Sequence, residues 1–371
     1  MSEKKAAQHA HEAHHGAGGE IVDYKSAGVD IEAGNEAVRR MKQHVVRTHS
    51  RAVLTGLGSF GSLFSLHDAL AGMRHPVMVQ STDGVGTKTL VAAKAKRYEN
   101  LGRDLVAAVA GDIAVMGARP LTFLDYIGVH RVQPAMIEEL VRGMSAACAE
   151  CGLALVGGET AEMPAVYAEN DLDVVGFVTG VVDRHQMIDG SKIEANDVVY
   201  GVSSSGLHTN GWSLARRLLF ELNEYELDVA QPELGGATLA DVLLEPHANY
   251  VLPIRRALDA ELPVRGMAHI TGGGLMENVP RILPAGLGAR LDRTAWTSQP
   301  IFALLQRLGN MDATEMHRVF NMGIGLVVVA PAGHLKALQQ AMQPFVVSEI
   351  GRVVQGNGVE LAEGPFTGGV A

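Results

Sequence analysis

The stretch Val77–Lys88, VMVQSTDGVGTK, predicts a short strand that runs into a tight turn rich in glycine. The turn carries one carboxylate, Asp83, among small residues, and its glycines let the backbone approach a ligand closely. Thr87 and Lys88 add a hydroxyl and a cation. Because Mg²⁺ prefers one or two carboxylates together with phosphate oxygens, the stretch suits a magnesium-bound polyphosphate. The alternative is an ordinary solvent-facing turn, since Asp-Gly is a common turn dipeptide.

Length and composition indicate a globular protein with one large domain or two smaller ones. Hydrophobic residues make up 47% of the 371 residues and charged residues 19%, and the net charge is −10. This negative charge argues against a protein that neutralises nucleic-acid phosphates. No apolar run approaches the ~20 residues that span a bilayer, and the N-terminus lacks the apolar core of a signal peptide. We therefore expect a cytoplasmic protein without nucleic-acid or membrane partners.

Residues 1–20 are polar, small and rich in histidine, which predicts a disordered tail, with weak metal binding as the alternative. The cysteines, Cys148 and Cys151, have the spacing of a redox pair or of half a zinc site. They also lie on the apolar face of a helix predicted between Pro134 and Gly152. No further zinc ligands are evident near them, so the sequence favours two core cysteines.

Two more acids stand at buried or glycine-rich positions. Gly102–Met116 has the apolar spacing of a buried helix, and Asp112 is the one acid in its second half. A buried carboxylate is unfavourable unless it is paired or metal-bound, so Asp112 is a functional candidate, with a helix cap or salt bridge as the alternative. Glu159 follows a short predicted strand, Leu153–Val156, in the loop GGETAEMP.

A glycine loop, GLGSFG at residues 56–61, formally matches the dinucleotide pattern G-x-G-x-x-G. That pattern must follow a core strand and open a helix, whereas the preceding RTHSRAVLT is polar and basic. We interpret Gly56, Gly58 and Gly61 as a loop that folds over phosphates. Lys25 is either a surface residue or a phosphate ligand.

The second half contains two further strand–loop–helix units, after a predicted boundary at residues 183–196. One has the loop SSSGLHTNG, with His208 and Asn210, and the other has Thr271-Gly272-Gly273-Gly274. Free backbone N–H groups at a helix N-terminus behind small residues bind anions, so the pair predicts phosphate on the substrate, the nucleotide or both. Ordinary βα loops are the alternative for either one alone.

In this order, the motifs resemble the phosphoribosylformylglycinamidine cyclo-ligases, also called AIR synthetases, from about Asp23 to about Val353. The blocks that carry the resemblance are YKSAGVDIEAGN, GLGSFG, STDGVGTK, GDIAVMGARPLTFLDY, LVGGETAEMP, DGSKI, SSGLHTNGWSL and HITGGGLMENVPRILP. The GDIAVMGA block is shared with other ATP users of the superfamily, whereas TDGVGTK, GGETAEMP and HTNGWSL are specific in combination.

The resemblance implies a mixed α/β fold of two domains that works as a homodimer. Residues 21–185 would form an ATP-binding domain whose strands make a β-barrel-like dimer interface. Residues 186–371 would form the C-terminal α/β domain, and the active site would lie in the cleft between the two domains.

The resemblance also implies an activity: ATP-dependent closure of formylglycinamidine ribonucleotide to aminoimidazole ribonucleotide in purine synthesis, with Mg²⁺ as cofactor. Asp83, Asp112 and Glu159 would then bind Mg·ATP. The residues around its phosphates would be Lys25, Gly56, Gly58, Gly61, Thr87 and Lys88. Those facing the ribonucleotide would be His208, Asn210, Thr271, Gly272, Gly273 and Gly274. Asp83, Lys88 and His208 would be catalytic, the last in proton transfer because an imidazole titrates near neutral pH.

One position departs from the family pattern. Members usually have Asn-Asp where this chain has Gly111-Asp112, so the acid is kept and the neighbouring amide is missing. A water could take the place of the amide, or the metal geometry could differ.

Three other functions stay open at the level of sequence. They are a thiamine-monophosphate kinase or hydrogenase-maturation ATPase of the same superfamily, an NAD-dependent dehydrogenase that rests on GLGSFG alone, and a non-catalytic nucleotide-binding scaffold.

Overall fold

The computed structural model describes residues 28–363, so Lys25 and the histidine-rich tail lie outside the described residues. The first half of the described chain contains α1 (Ile31–Val46), β1 (Pro76–Gly84), α2 (Lys88–Ala95), α3 (Glu99–Ala114), β2 (Arg119–Val129), α4 (Pro134–Cys151), β3 (Ala154–Glu162) and β4 (Leu172–Asp183).

The second half contains β5 (Val198–Ser203), α5 (Trp212–Arg216), α6 (Leu239–Leu243), α7 (Val251–Asp259), β6 (Gly266–His269), α8 (Gly274–Asn278), β7 (Leu287–Asp292), α9 (Pro300–Gly309), α10 (Ala313–Val319), β8 (Ile324–Ala330), α11 (Leu335–Ala341), β9 (Val347–Gln355) and β10 (Val359–Ala362). Within residues 28–363, no helix combines the length and the apolar character that crossing a bilayer requires.

Two mixed sheets confirm the predicted α/β class. The first has the strand order β1-β4-β2-β3, in which only β2 and β3 pair in parallel. The second has the order β10-β7-β9-β5-β8-β6, in which only β10 and β7 are parallel. The sheets occupy separate stretches of chain, residues 76–183 and 198–362, which supports the proposed division into residues 21–185 and 186–371.

Two strands run further than the sequence predicts. Strand β1 includes Asp83, which pairs with Gly176, and strand β3 continues through Glu159, which pairs with Tyr126. The expected loop at GGETAEMP was therefore wrong for all but its last two residues, because β3 continues to Glu162. Glycine is required in this part of β3 because a Cβ atom on Gly158 would lie 2.5 Å from Asp125 Oδ1.

Helix α4 confirms the expectation for the cysteines. It begins at Pro134 and ends before Gly152, which has the left-handed φ of 66° typical of a helix terminator. Cys148 is fully buried and Cys151 is 8% exposed. Burial raises the pKa of the Cys151 thiol to about 12, so both residues behave as inert core side chains.

Helices α3 and α4 cross with their backbones in contact. A Cβ atom on Gly102 would overlap the Leu140 carbonyl oxygen, and one on Gly143 would overlap the Glu99 carbonyl oxygen. The two glycines therefore set the spacing of the helices that cover the first sheet, and α3 in turn carries Asp112.

We expect Gly102→Ala to lower the free energy of unfolding by about 1–3 kcal/mol or more, because the added methyl group pushes α3 away from α4. Urea denaturation measures the change. Gly34→Ala in α1 is the matched control, since a Cβ atom there meets nothing within 4 Å, and it should be neutral or stabilising. Equal stability of the two variants would contradict the proposed backbone contact.

A buried ion pair joins the two halves of the chain. The Lys88 ammonium lies 2.7 Å from Asp104 Oδ2, with both side chains fully buried. It also donates to the Glu245 carbonyl at 3.0 Å and lies 5.5 Å from the centre of the Trp212 ring. The other oxygen of Asp104 accepts from the His247 backbone N–H at 2.6 Å. Lys88 and Asp104, both in the first half, thus bind the backbone of residues 245–247 in the second half.

Replacing Lys88 by Met should lower the free energy of unfolding by about 3–5 kcal/mol, because it leaves the Asp104 charge buried and unpaired. The double variant Lys88→Met with Asp104→Leu should recover much of that loss. Arg255→Met is the control, because the pair between Arg255 and Asp259 is half exposed and should contribute less than about 1 kcal/mol. A loss no larger than that of the control would show that the buried pair does not join the halves.

Candidate active site

Asp83 and Asp112 lie near each other, the first at the end of β1 and the second in the last turn of α3. The Asp112 carboxylate accepts from Ser81 Oγ at 3.2 Å and contacts His269 Nδ1 at 2.8 Å. Burial raises the pKa of Asp83 and the charge of Asp112 adds to the rise, while the Gly84 N–H opposes it. The two carboxylates repel each other, and a cation bound between them would relieve that repulsion.

The two carboxylates fit a magnesium ion that takes its remaining ligands from phosphate and water. Among residues 28–363, no cluster of three or more His, Cys, Asp or Glu side chains is arranged to hold a metal ion by itself. A site of this kind therefore depends on oxygen atoms that the nucleotide brings.

Glu159 lies apart from this pair. Strands β1 and β3 are the two edges of a four-stranded sheet, so three strand spacings, roughly 14 Å in total, separate Asp83 from Glu159. Because Mg²⁺–oxygen bonds are only about 2.0–2.1 Å long, one ion cannot bind both. The structure thus divides the three predicted acids into a pair and a single residue.

Glu159 lines a groove of about 740 Å³ on the first half of the chain. The glycine loop forms one wall, with Gly56, Gly58 and Gly61, and the sheet forms the other, with Leu124, Asp125, Tyr126 and Phe177. Burial raises the pKa of Asp125 to about 7, and the charge of Glu159 contributes to the rise. Sequence reasoning did not assign Asp125, although it lies in the block GDIAVMGARPLTFLDY, because the residue stands in a predicted strand and not in a glycine-rich turn.

The glycine loop does not form a dinucleotide-binding turn, which confirms that part of our interpretation, and its role over phosphates stays a prediction. The loop lies between Val53 and Phe64, the partners of an isolated β-bridge, and does not follow a strand. The next helix along the chain begins only at Lys88. The geometry of a βαβ unit, which that turn requires, is absent from this described segment.

The predicted substrate loops of the second half face the Asp83 turn. A Cβ atom on Gly86 would lie 3.6 Å from the Thr209 carbonyl oxygen, and Thr87 Oγ1 lies 3.5 Å from Ser213 Oγ. Asn210 Oδ1 would lie 3.4 Å from a Cβ atom on Gly272. The segments 83–88, 208–213 and 271–274 therefore come together where the two halves meet, a region called the cleft below.

The loop Thr271–Gly274 is held by one buried side chain. The Asn278 amide donates to the carbonyl oxygens of Thr271, Gly272 and Gly274. Gly273 and Gly274 have φ values of 94° and 56°, which favour glycine. The three carbonyl oxygens are therefore fixed on the side of the loop where Asn278 lies.

Lys88 and His208 lie deeper than predicted. Lys88 is fully buried in the ion pair with Asp104, so its ammonium contacts protein and not the open cleft. His208 is 2% exposed, and its Nε2 accepts from the Ser205 N–H at 3.1 Å and the Ala248 N–H at 3.4 Å. Burial lowers the pKa of His208 well below its usual value, and the neighbouring His269 and Lys88 add to the effect.

Two histidines that sequence reasoning did not assign lie beside the cleft. The His247 ring stacks on His208 with 3.9 Å between ring centres, and its Nε2 lies 3.0 Å from His269 Nε2. His269 ends β6 directly before the loop Thr271–Gly274, a position that could have drawn attention to it. His247 follows no recognisable pattern, so only the fold reveals it.

Comparison with known proteins agrees with this architecture. Two family models match the chain: the AIR synthase related protein N-terminal domain at residues 68–182, and the corresponding C-terminal domain at residues 194–363. The chain is 47% identical over 343 residues to a phosphoribosylformylglycinamidine cyclo-ligase of Bacillus mycoides, covering 92% of this chain and 98% of the relative. It is also 47% identical to that of Bacillus cereus, covering 94% of this chain and 99% of the relative.

Solved structures share the fold at low sequence identity. Thiamine-monophosphate kinase from Stenotrophomonas maltophilia matches with a TM-score of 0.66 at 21% identity, covering 88% of this chain and 95% of the kinase. The hydrogenase maturation protein HypE of E. coli matches with a TM-score of 0.62 at 17% identity, covering 90% of this chain and 95% of HypE. These structures establish the fold, and the sequence relatives establish the family: the chain is an enzyme that belongs to the phosphoribosylformylglycinamidine cyclo-ligases.

Proposed function

We propose that this enzyme closes formylglycinamidine ribonucleotide to 5-aminoimidazole ribonucleotide in de novo purine biosynthesis, converting ATP to ADP and phosphate. The observation that carries the proposal is the cleft, where the carboxylate pair of Asp83 and Asp112 meets the predicted anion-binding loops of the second half. The cytoplasm, where purine precursors are made, is the proposed location.

The chemistry is a phosphorylation followed by a ring closure. The formamide oxygen attacks the γ-phosphorus of ATP, ADP leaves, and an iminophosphate forms. The amidine nitrogen then attacks the activated carbon, the C–O bond to phosphate breaks, and loss of a proton gives the aromatic imidazole ring. Because phosphorylation turns a poor leaving oxygen into a good one, positioning and electrostatics carry most of the catalysis.

The site residues take the following proposed roles. Asp83 and Asp112 bind Mg²⁺, which neutralises phosphate charge when it is bound. Glu159, the glycine loop (Gly56, Gly58, Gly61), Thr87 and Lys25 bind ATP from the first half. Asn210 and the loop Thr271, Gly272, Gly273 and Gly274 bind the ribonucleotide.

The burial of Lys88 and His208 changes the roles we propose for them. Lys88 holds residues 245–247 in place and acts on the reaction through that contact. His208 is neutral at pH 7 because its pKa is low, and its Nε2 is already an acceptor. It therefore shapes the loop from Ser205 to Asn210, and it transfers a proton only if substrate binding frees that nitrogen.

Structural relatives support the use of ATP. One matching structure is a HypE protein in complex with ATP, with a TM-score of 0.64. Another is a ThiL protein complexed with AMPPCP and TMP, with a TM-score of 0.53. The same relatives make a phosphoryl-transfer enzyme with another acceptor the second candidate, although their identities of 15% and 18% are far below the 47% of the cyclo-ligases.

An exposed apolar patch supports a homodimer. Leu124 and Phe177 are cross-strand neighbours in the first sheet and are 41% and 44% exposed, and Met78 on β1 is 64% exposed. Large apolar side chains on an open sheet face are typical of a surface that another subunit covers. We propose that this face forms the β-barrel-like dimer interface, which would then adjoin the groove that contains Glu159, since Leu124 and Phe177 also line that groove.

We expect the purified protein to convert formylglycinamidine ribonucleotide and Mg·ATP into equal amounts of aminoimidazole ribonucleotide and ADP. Both products are followed in the same reaction by chromatography. Formation of ADP without the imidazole product would favour the second candidate, and formation of neither by folded protein would favour a nucleotide-binding scaffold.

Asp83→Asn should reduce turnover by at least ~100-fold, because it removes one of the two charges that bind the metal of Mg·ATP. The fold should persist, since the Asp83 side chain contacts the Gly84 N–H at the end of a strand. Asp259→Asn, on the exposed face of α7, is the control and should keep normal turnover. Near-normal activity of the Asp83 variant would remove this residue from the mechanism.

A further inference from the structure

A line of hydrogen-bonding side chains connects the substrate loop to the carboxylate pair. Asn210 Nδ2 donates to Thr209 Oγ1 at 3.4 Å, and that hydroxyl lies 3.4 Å from His247 Nδ1. His247 Nε2 lies 3.0 Å from His269 Nε2, and His269 Nδ1 lies 2.8 Å from Asp112 Oδ1. The donor–acceptor distance is shortest, 2.8 Å, between His269 and Asp112, the proposed metal ligand.

The contact between His269 and Asp112 has one direction. An ionised carboxylate only accepts, so His269 Nδ1–H donates to Asp112 whether or not the ring also carries a proton on Nε2. An unprotonated His269 Nε2 accepts from His247 Nε2–H, and a protonated one donates to His247 Nε2. In both arrangements Nδ1–H faces Asp112, and the His269 side chain is only 3% exposed.

Gly111 makes this contact possible. A Cβ atom on residue 111 would lie 2.7 Å from His269 Cε1 and 3.0 Å from His269 Nδ1. Real Cβ atoms do not approach a ring this closely, so the imidazole of this chain would have to move from its present position if residue 111 carried a side chain. Gly111, which departs from the family pattern, therefore packs against the His269 ring, and that ring contacts Asp112, the next residue in the chain.

We propose that His269 is a positioning residue: its Nδ1–H orients the Asp112 carboxylate for the metal of Mg·ATP, and Gly111 leaves the space for its ring. The inference rests on the proposed function in that Asp112 binds the metal. The N–H of the imidazole supplies to Asp112 the kind of contact that an amide on residue 111 would otherwise offer. A partner of this kind fixes the orientation of a ligand and strengthens metal binding, typically by ~10–100-fold.

The matched variants are His269→Asn and His269→Gln. The Asn amide can place its N–H near the position of Nδ1 and keep the bond to Asp112, whereas the longer Gln side chain reaches toward His247 and loses that bond. Mn²⁺ is titrated into the full-length protein with β,γ-methylene ATP, and free Mn²⁺ is measured by electron paramagnetic resonance. We expect His269→Gln to weaken Mn²⁺ binding by ~10-fold or more, and His269→Asn to stay within about 3-fold of the unaltered protein.

A second pair of variants tests the role of Gly111. Gly111→Ala should weaken Mn²⁺ binding as much as His269→Gln does. In the His269→Asn background the same change should have a much smaller effect, because Asn lacks the Cε1 and Nε2 atoms that the methyl group meets. Melting temperatures measured without metal identify any variant that fails to fold. If one of the two single variants is lost in this way, the other still tests the contact between residues 111 and 269.

The possible outcomes distinguish failure of the positioning role from failure of the proposed metal-dependent function. Binding by His269→Gln as tight as that of the unaltered protein, or equal losses in the Asn and Gln variants, would overturn the positioning role and leave the metal site intact. Failure of the unaltered protein to bind Mn²⁺ with the nucleotide analogue would overturn the metal site, and the positioning role with it. Additive effects of the changes at residues 111 and 269 would contradict their direct contact.

Discussion

The buried ion pair of Lys88 and Asp104 is the contact on which the arrangement of the cleft depends. Its charges reach across the boundary between the halves, to the Glu245 carbonyl and the His247 N–H. Replacing such a pair by apolar residues is often neutral for stability, whereas breaking it is unfavourable, so the pair specifies one relative placement of the halves. Residues 245–247 are held there, and with them the His247 ring that packs between His208 and His269.

The cleft follows from that placement. Asp83 and Asp112 belong to the first half, and Asn210 and the loop Thr271–Gly274 belong to the second, so neither half contains all of the proposed site residues. The groove beside Glu159 lies at the opposite edge of the first sheet. The carboxylate pair and the glycine-loop groove are therefore two distinct parts of the first half.

Histidine burial determines what chemistry the cleft offers. Three imidazoles, those of His208, His247 and His269, pack together near a buried lysine, and burial lowers the pKa values of His208 and His247. The low pKa values of His208 and His247 make these two rings better suited to orient neighbouring groups than to exchange protons at neutral pH. This fits the proposed reaction, in which phosphorylation would supply the activation and little strong acid or base would be needed.

The sequence by itself determined the mixed α/β class, the core position of the cysteines and the family, and it singled out Asp83 as a candidate, because turn chemistry, periodicity and motif order are local properties of the chain. It did not reveal that Glu159 lies across the sheet from Asp83, that Lys88 is buried, or that His247 and His269 connect Asn210 to Asp112. Strand order, burial and contacts between residues more than 100 positions apart decided these points. Such properties arise only when distant segments pack, so tertiary structure alone determines which charges are desolvated and which side chains meet.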